Sequence, residues 1–151
     1  MKSELNNSQF KNVFIDGPIS TEFIANSIQK HQIKKNIGAH NIFLGQVRAD
    51  KINNKIVKAI EYDAYKDMAN KKFHEIKEST FKKHKITCMH IYHSTGVVKT
   101  GEICLFVFVS SAHRKIVFDA LHYVVEEIKN KAPVFGKELF SDESYKWKVN
   151  I

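Results

Sequence analysis

The sequence is short of the features that mark membrane, secreted and disulfide-stapled proteins. Its 151 residues contain two Cys, two Pro and one Trp. No run approaches the roughly 18 apolar residues of a membrane-spanning helix, and residues 1–7 lack the apolar block of a secretory signal. We therefore expect a cytoplasmic protein that does not enter a membrane.

Cysteine is too scarce for a disulfide framework or a thiolate metal site. Cys88 and Cys104 lie in apolar, strand-like segments, and neither has a second Cys or a His at a zinc-ligand spacing. His90 and His93 belong to one predicted strand, where an odd separation places side chains on opposite faces. We predict two reduced core thiols and no metal site.

Acidic residues are also scarce, since 16 Asp and Glu stand against 24 Lys and Arg and give a net charge of +8. This balance indicates an anionic partner, either nucleic acid, a phosphorylated metabolite or an acidic protein surface. Lysines on exposed helix faces, such as those at 71–72 and 82–83, usually serve only to keep a surface solvated. The basic charge and the many lysines suggest an alternative to an enzyme, namely a basic RNA- or protein-binding domain without catalysis. The sequence gives this alternative no further support, because it has no aromatic-rich RNA motif, zinc-finger spacing or basic helix.

What the sequence does contain is 43% hydrophobic residues, including 11 Phe, arranged with strand and helix periodicities. Predicted strands cover residues 13–15, 38–47, 56–64, 86–92, 103–109 and 145–149. Predicted helices cover residues 20–31, with Ser20 as N-cap, and residues 67–84 and 112–131. Because no regular βαβ repeat occurs, we predict an α+β fold with a mainly antiparallel sheet and packed helices. Residues 1–10 are a predicted flexible N-terminus, and residues 11–151 a single domain.

The segments between these elements carry their own expectations. The polar residues 49–55 indicate a mobile loop, and residues 93–101 indicate the turn of an antiparallel strand pair. In the second helix, helical spacing of the apolar residues predicts a buried stripe made of Met68, Phe73, Ile76 and Phe81.

The start of the third helix, at residues 110–114, is the most informative local feature. Ser110 or Ser111 is the predicted cap, and the free N–H groups and dipole of a helix start favour a bound anion. His113 and Arg114 oppose that dipole by roughly 0.3 to 1 kcal/mol, so their placement makes structural sense with an anion between them. The alternative is a solvated Arg beside a His that packs on the sheet edge.

Two further cationic positions are candidates for the same ligand, namely Arg48 at the end of a strand and Lys129 near the end of the third helix. His113 and Lys129 are 16 residues apart on one predicted helix, a rise of about 24 Å. One small ligand cannot touch both. Either the two residues belong to separate sites, or a symmetric dimer brings His113 and Arg114 of one subunit to Lys129 of the other, and we favour the dimer.

Taken in order, five motifs form a recognisable set. They are residues 43–48 (FLGQVR), residues 61–65 with Met68 and Ala69, His93 with Gly96 and residues 101–102, residues 110–114, and residues 129–138. Together they span nearly the whole chain, and the set resembles the catalytic large subunits of the molybdopterin synthase family.

This resemblance implies a sulfurtransferase of molybdenum cofactor biosynthesis. Its substrate would be cyclic pyranopterin monophosphate, also called precursor Z, which is converted into the dithiolene-bearing molybdopterin. Two large subunits would form a homodimer, and each would receive the C-terminal Gly-Gly thiocarboxylate of a small ubiquitin-like sulfur carrier, giving a heterotetramer. The step would require no metal or other cofactor, no nucleic acid and no membrane.

The resemblance also implies roles for individual residues. Gln46, Val47 and Arg48 would line the substrate pocket, and His113 and Arg114 would reach in from the other subunit to hold the phosphate. Lys129 would be the central catalytic lysine, stabilising charge or moving protons.

The chain departs from the family pattern after Pro133, because Gly136 stands where the family has a second lysine. Lys137 is then the expected substitute, so the implied site includes Gly136, Lys137 and Glu138. Phe43 and Met68 are possible pocket walls or plain core residues. A second alternative keeps the fold without the activity, as a scaffold that binds the small subunit and transfers no sulfur.

Overall fold

The computed structural model describes residues 9–148, which form eight strands and three helices. In chain order these are β1 (Phe14–Asp16), α1 (Thr21–His31), β2 (Ala39–Gln46), β3 (Lys51–Ile52), β4 (Lys55–Ala64), α2 (Lys66–Lys83), β5 (Cys88–Lys99), β6 (Ile103–Ser111), α3 (Arg114–Lys131), β7 (Val134–Phe140) and β8 (Tyr145–Trp147). Most of the predicted flexible N-terminus, residues 1–8, and the predicted end of the last strand at Val149 lie outside the described residues.

The strands join in the order β2-β6-β5-β4-β7-β8, while β3 pairs with β4 and β1 pairs with β5. Every pairing is antiparallel except that of β1 with β5, which is parallel. The predicted α+β fold with a mainly antiparallel sheet is therefore confirmed. Strand β7 was not predicted, because Pro133 and Gly136 are more typical of loops than of strands.

Strand β5 corrects the prediction of a turn over residues 93–101. Its first half pairs with β6, residues 93–95 pair with β1, and residues 96–99 pair with β4. Gly96 has φ +80 at the point where β5 changes partners, a conformation that L side chains rarely adopt. The polar residues Ser94 and Thr95 imitate a turn in the sequence, but both are buried within the sheet.

The predicted mobile loop at 49–55 is also wrong in its second half. Residues 51–52 pair with the start of β4 and close a hairpin through Asn53 and Asn54. Both asparagines are left-handed, with φ 51 and 64, which is the backbone that a tight hairpin turn requires.

The core has two layers, because β6 is buried on both faces. Leu105, Val107 and Val109 belong to the main apolar cluster, into which α2 and α3 pack, whereas Phe106 and Phe108 point to a second cluster with α1. The N-cap predicted for α1 is confirmed, since the Ser20 hydroxyl accepts a hydrogen bond from the Phe23 N–H at 3.0 Å.

Helix α2 confirms Phe73 and Ile76 of the predicted buried stripe but not Met68 and Phe81. Ala69, Phe73, Ile76 and Thr80 are buried, whereas Met68 is 63% exposed and Phe81 is 40% exposed. Small residues at 69 and 80 lie where the helix packs closely, and the larger neighbours are rotated toward solvent. Within residues 9–148, no helix has both the length and the apolar character needed to cross a membrane.

Candidate active site

The clearest candidate site is a cavity of about 350 Å³ at the C-terminal end of α3. Residues from five elements or their ends line this cavity, and the ones discussed below are Tyr62, His93, Lys129, Gly136, Trp147 and Lys148. Helix α3 ends at Lys131, and the chain turns at Pro133 into β7, which pairs with β4. The last turn of the helix is thereby held against the sheet.

Lys129 lies in that last turn, where a cation also complements the helix dipole. The Lys129 side chain is partly exposed to solvent where it lines the cavity, but the surrounding protein removes part of the water that would hydrate its charge. Desolvation lowers the pKa of Lys129, the nearby Cys104 thiol opposes this change, and Lys148 lowers the pKa further. A lysine with a lowered pKa can give or take a proton more readily at neutral pH.

His93 lines the cavity but is itself buried, with only 5% of its surface exposed. Its Nδ1 donates a hydrogen bond to the Ser94 carbonyl oxygen at 2.8 Å, which leaves Nε2 as an acceptor. Burial lowers the pKa of His93 to about 4, against the opposing effect of the Ser94 carbonyl, and the Lys129 charge lowers it further. His93 is therefore neutral at pH 7.

Tyr62 extends the same wall, with its ring 5.1 Å from the His93 ring between centroids. Its hydroxyl donates to the Cys104 sulfur at 3.3 Å. Burial raises the pKa of Tyr62 above its usual range, and Cys104 and Glu138 add to the increase. The buried position predicted for Cys104 is confirmed, and the thiol also connects this wall to the Gly45 carbonyl oxygen, to which it donates at 3.4 Å.

The N-terminal end of α3 carries the residues that were predicted to bind an anion. His113 is the N-cap residue but makes no side-chain capping bond, and both His113 and Arg114 are exposed. The predicted cap by serine is wrong, because Ser110 and Ser111 are buried in β6. The Ser110 hydroxyl bonds His40 Nδ1 at 2.7 Å, and the Ser111 hydroxyl donates to the Lys85 carbonyl oxygen at 2.9 Å.

The residues predicted at the end of β2 lie away from the cavity wall. Gln46 and Arg48 are exposed, and Arg48 pairs with Asp50 at 3.3 Å. Val47 is 2% exposed, belongs to the core and is not among the residues that line this cavity. Val47 continues the alternation of Phe43 along the chain and points to the same main core.

Neither predicted pocket wall lines the cavity in this chain. Phe43 is partly buried against the main core, in agreement with the plain core interpretation. Met68 lies exposed on α2. Both interpretations had been open because apolar residues of these types serve equally well in cores and in pockets.

Strand β7 separates the three residues predicted at 136–138. Gly136 lines the cavity, and Glu138 is buried close enough to raise the pKa of Tyr62. Lys137 points to the opposite face, where its ammonium lies 4.6 Å from the centre of the Tyr145 ring and 3.9 Å from a Glu61 carboxylate oxygen. Its position does not favour the expectation that Lys137 replaces a lysine at 136.

Sequence reasoning missed Trp147 and Lys148, which line the cavity from the end of β8. No local pattern in the sequence would have identified them, since they reach the site only through the pairing of β8 with β7. Among residues 9–148 there is no group of three or more His, Cys, Asp or Glu side chains that could hold a metal ion.

The family model described as "MoaE protein" matches residues 16–131 of this chain. The molybdopterin synthase catalytic subunit of Pyrococcus abyssi is 36% identical over 106 residues, which cover 70% of this chain and 70% of that protein. The catalytic subunit of Bacillus subtilis is 34% identical over 125 residues, which cover 83% of this chain and 76% of the relative.

Solved structures agree with these relatives. The X-ray structure of molybdopterin synthase from Staphylococcus aureus superposes with a TM-score of 0.79 at 31% identity, covering 94% of this chain and 98% of that chain. A complex of subunits 1 and 2 of the molybdopterin-converting factor from Helicobacter pylori has the same fold, with a TM-score of 0.75 at 22% identity, covering 89% of this chain and 87% of that chain. The chain therefore belongs to the MoaE protein family, whose curated relatives are molybdopterin synthase catalytic subunits.

Proposed function

We propose that this protein is the catalytic subunit of a molybdopterin synthase. It transfers two sulfur atoms to cyclic pyranopterin monophosphate, each from the C-terminal thiocarboxylate of a small ubiquitin-like subunit, and forms molybdopterin for the molybdenum cofactor. Water cleaves each resulting thioester, so that the small subunit leaves with a C-terminal carboxylate. The observation that carries the proposal is the placement of Lys129 in a cavity beside a neutral, buried His93, in a chain of the MoaE family. We expect the reaction to take place in the cytoplasm.

Lys129 is the proposed catalytic residue. As a charged ammonium it stabilises the negative charge that develops when the thiocarboxylate sulfur attacks the pterin, because the dry wall of His93 and Tyr62 strengthens the interaction. Its lowered pKa also suits it to proton transfer as the cyclic phosphate opens. The protein supplies both effects from its own side chains, without a metal or cofactor in the proposed step.

A symmetric homodimer completes the site in this proposal. His113 and Arg114 lie at the opposite end of α3 from Lys129, so they serve the cavity of the other subunit, where they bind the phosphate of the pterin. Two exposed cations at a helix start form an anion-binding position that costs little rearrangement.

The end of β2 and the middle of β7 supply the remaining proposed contacts. Gln46 and Arg48 are exposed and therefore accessible to a substrate, and Val47 is buried between them in sequence. Gly136 leaves space in the cavity, and the buried Glu138 orders the wall around Tyr62.

The small subunit is the second proposed partner, which would make the assembly a heterotetramer. The fold is that of a protein solved in complex with the other subunit of a molybdopterin-converting factor. A groove of about 320 Å³ lined by Tyr65, Phe135 and Trp147 adjoins the cavity, since Phe135 and Trp147 line both. We propose that this groove receives the Gly-Gly tail, because two glycines bring no side chain that the groove must accommodate.

The proposal is tested by mixing the purified protein with the thiocarboxylated small subunit and cyclic pyranopterin monophosphate. We expect dithiolene product in amounts limited by the thiocarboxylate supplied, and no product with an unmodified small subunit. Complete absence of product, with small-subunit binding intact, would instead establish the inactive scaffold. The family relationship does not favour the RNA-binding alternative, which would require salt-sensitive RNA binding and no turnover.

A further inference from the structure

The cavity contains a second lysine, Lys148, which follows the last residue of β8. Its backbone N–H donates to the Gly136 carbonyl oxygen at 2.7 Å, which continues the pairing of β8 with β7. Lys148 is partly buried and lines the same cavity as Lys129. Strand pairing therefore fixes the position of Lys148 beside Gly136.

Neither position 136 nor position 137 supplies a cation to this cavity. A Cβ atom at Gly136 would lie 3.1 Å from the Ile60 Cγ2 atom and 3.3 Å from the Tyr62 Cε1 atom, so even a small side chain would press on the wall. Lys137 does not line the cavity, and its ammonium lies over the Tyr145 and Trp147 rings and 3.9 Å from a Glu61 carboxylate oxygen. The space that Gly136 leaves is next to Lys148.

Charge across the cavity is one-sided. Among the described residues that line it, two are lysines and none is Asp or Glu. The Lys148 charge is near enough to lower the pKa of Lys129, in addition to the larger effect of desolvation. Like charges that share a partly dry cavity destabilise each other, and an anion bound between them removes that cost.

We infer that Lys148 is a substrate-binding residue that contacts, together with Lys129, the anionic phosphate group of the phosphorylated pterin. The inference rests on the proposed function for the identity of the ligand. Lys148 thereby provides from β8 the second cation that position 136 lacks. Removing it weakens binding of the pterin more than it slows the sulfur transfer itself.

The test compares Lys148→Ala and Lys148→Arg with the control Lys146→Ala, which removes an exposed lysine two residues away on β8. We expect Lys148→Ala to raise Kd and KM for cyclic pyranopterin monophosphate about tenfold, the size of a lost charge-assisted hydrogen bond, with a smaller change in kcat. The Arg variant should restore most of the affinity, and Lys146→Ala should match the unmodified protein. The affinity for the small subunit should stay unchanged in all three.

A second measurement reads the cavity without turnover. The titration of the Lys129 side chain, followed by NMR of labelled lysine, should move to higher pH in Lys148→Ala, because a neighbouring positive charge is gone. Inorganic phosphate should shift the signals of both lysines in the unmodified protein, and it should leave the Lys129 signal unchanged in Lys148→Ala. These readouts stand even if the unmodified protein forms no dithiolene product, which would overturn only the proposed function.

Three results would overturn the inference. One is an equal Kd for the pterin in Lys148→Ala and Lys146→Ala, and another is a Lys129 titration that Lys148→Ala leaves unchanged. The third is a loss of small-subunit affinity in Lys148→Ala at unchanged pterin affinity, which would assign Lys148 to the sulfur carrier instead.

Discussion

The two ends of helix α3 differ in almost every physical respect. At the C-terminal end, Lys129 faces a cavity whose walls are a neutral histidine and a protonated tyrosine, both held by the sheet. At the N-terminal end, His113 and Arg114 are exposed, and the helix has no side-chain cap. One end lines a cavity, and the other presents two exposed cationic side chains.

The difference teaches which parts of the site one subunit can build. Strand pairing brings Tyr62, His93 and Lys148 to Lys129 because β4, β5, β7 and β8 are connected parts of one sheet. At the start of α3, by contrast, the side chains of His113 and Arg114 are exposed within the part of the chain that the structure describes. The exposed cations there acquire a function only if another molecule covers them.

The largest expected effect is at the pocket end. Lys129→Ala should reduce molybdopterin formation by about 10²- to 10³-fold, because the charge that stabilises the reacting groups is lost. The control Lys131→Ala, in the same last turn, removes a lysine that pairs with Glu127 at 2.8 Å outside the cavity. Single-turnover assays should separate the two variants clearly, and equal loss in both would remove Lys129 from the proposed chemistry.

The burial of His93 beside the C-terminal end of α3 predicts that the folded protein loses stability in acid. The pKa of His93 is about 4 in the folded protein against 6.5 as its ordinary value, so the unfolded chain binds a proton first as the pH falls. Stability should therefore decrease from pH 6.5 toward pH 4, by roughly 3 kcal/mol from this group, and should be unaffected by it above pH 7.

Urea denaturation at pH 7 and pH 4.5 measures this effect. His93→Gln should lose less stability between the two pH values than the unmodified protein. The control His122→Gln changes an exposed histidine of α3 and should keep the original acid sensitivity. An unchanged pH dependence in His93→Gln would mean that His93 is not the dry, neutral group described.

The exposed N-terminal end of α3 predicts a smaller effect, in which one substitution raises the stability of the protein and lowers its activity. His113 has the extended backbone of an N-cap, with φ −128 and ψ 145, but lacks a capping bond. His113→Asn should supply that bond and raise the free energy of unfolding by about 1 kcal/mol. Turnover should fall if the imidazole binds phosphate, and a more stable variant with full activity would separate His113 from the site.

Much of the fold could be predicted because its signals are local. Ser20 precedes an amphipathic helix, and β6 is a continuous apolar run that must be buried. Residues 93–99 were misassigned because Ser94, Thr95 and Gly96 are typical of turns, and only pairing with β1 and β4 makes them a strand.

The site was less predictable than the fold, because its residues come together through strand pairing and not through a local sequence pattern. Lys129 was a candidate from its charge and position, the family resemblance added its role and pointed to Gly136, and both residues line the cavity. Lys148 reaches it through the register of β8 on β7, and Lys137 misses it because strand residues alternate in direction. Neither fact is visible until the strands are paired.

The central claim is that the two ends of α3 belong to two different active sites of a dimer. Its direct test mixes inactive Arg114→Ala subunits with inactive Lys129→Ala subunits and measures molybdopterin formation. Mixed dimers would contain one intact hybrid site, so statistical mixing should restore about a quarter of the unmodified activity. No recovery, with mixed dimers demonstrated by mass spectrometry, would show that each site is built within one chain.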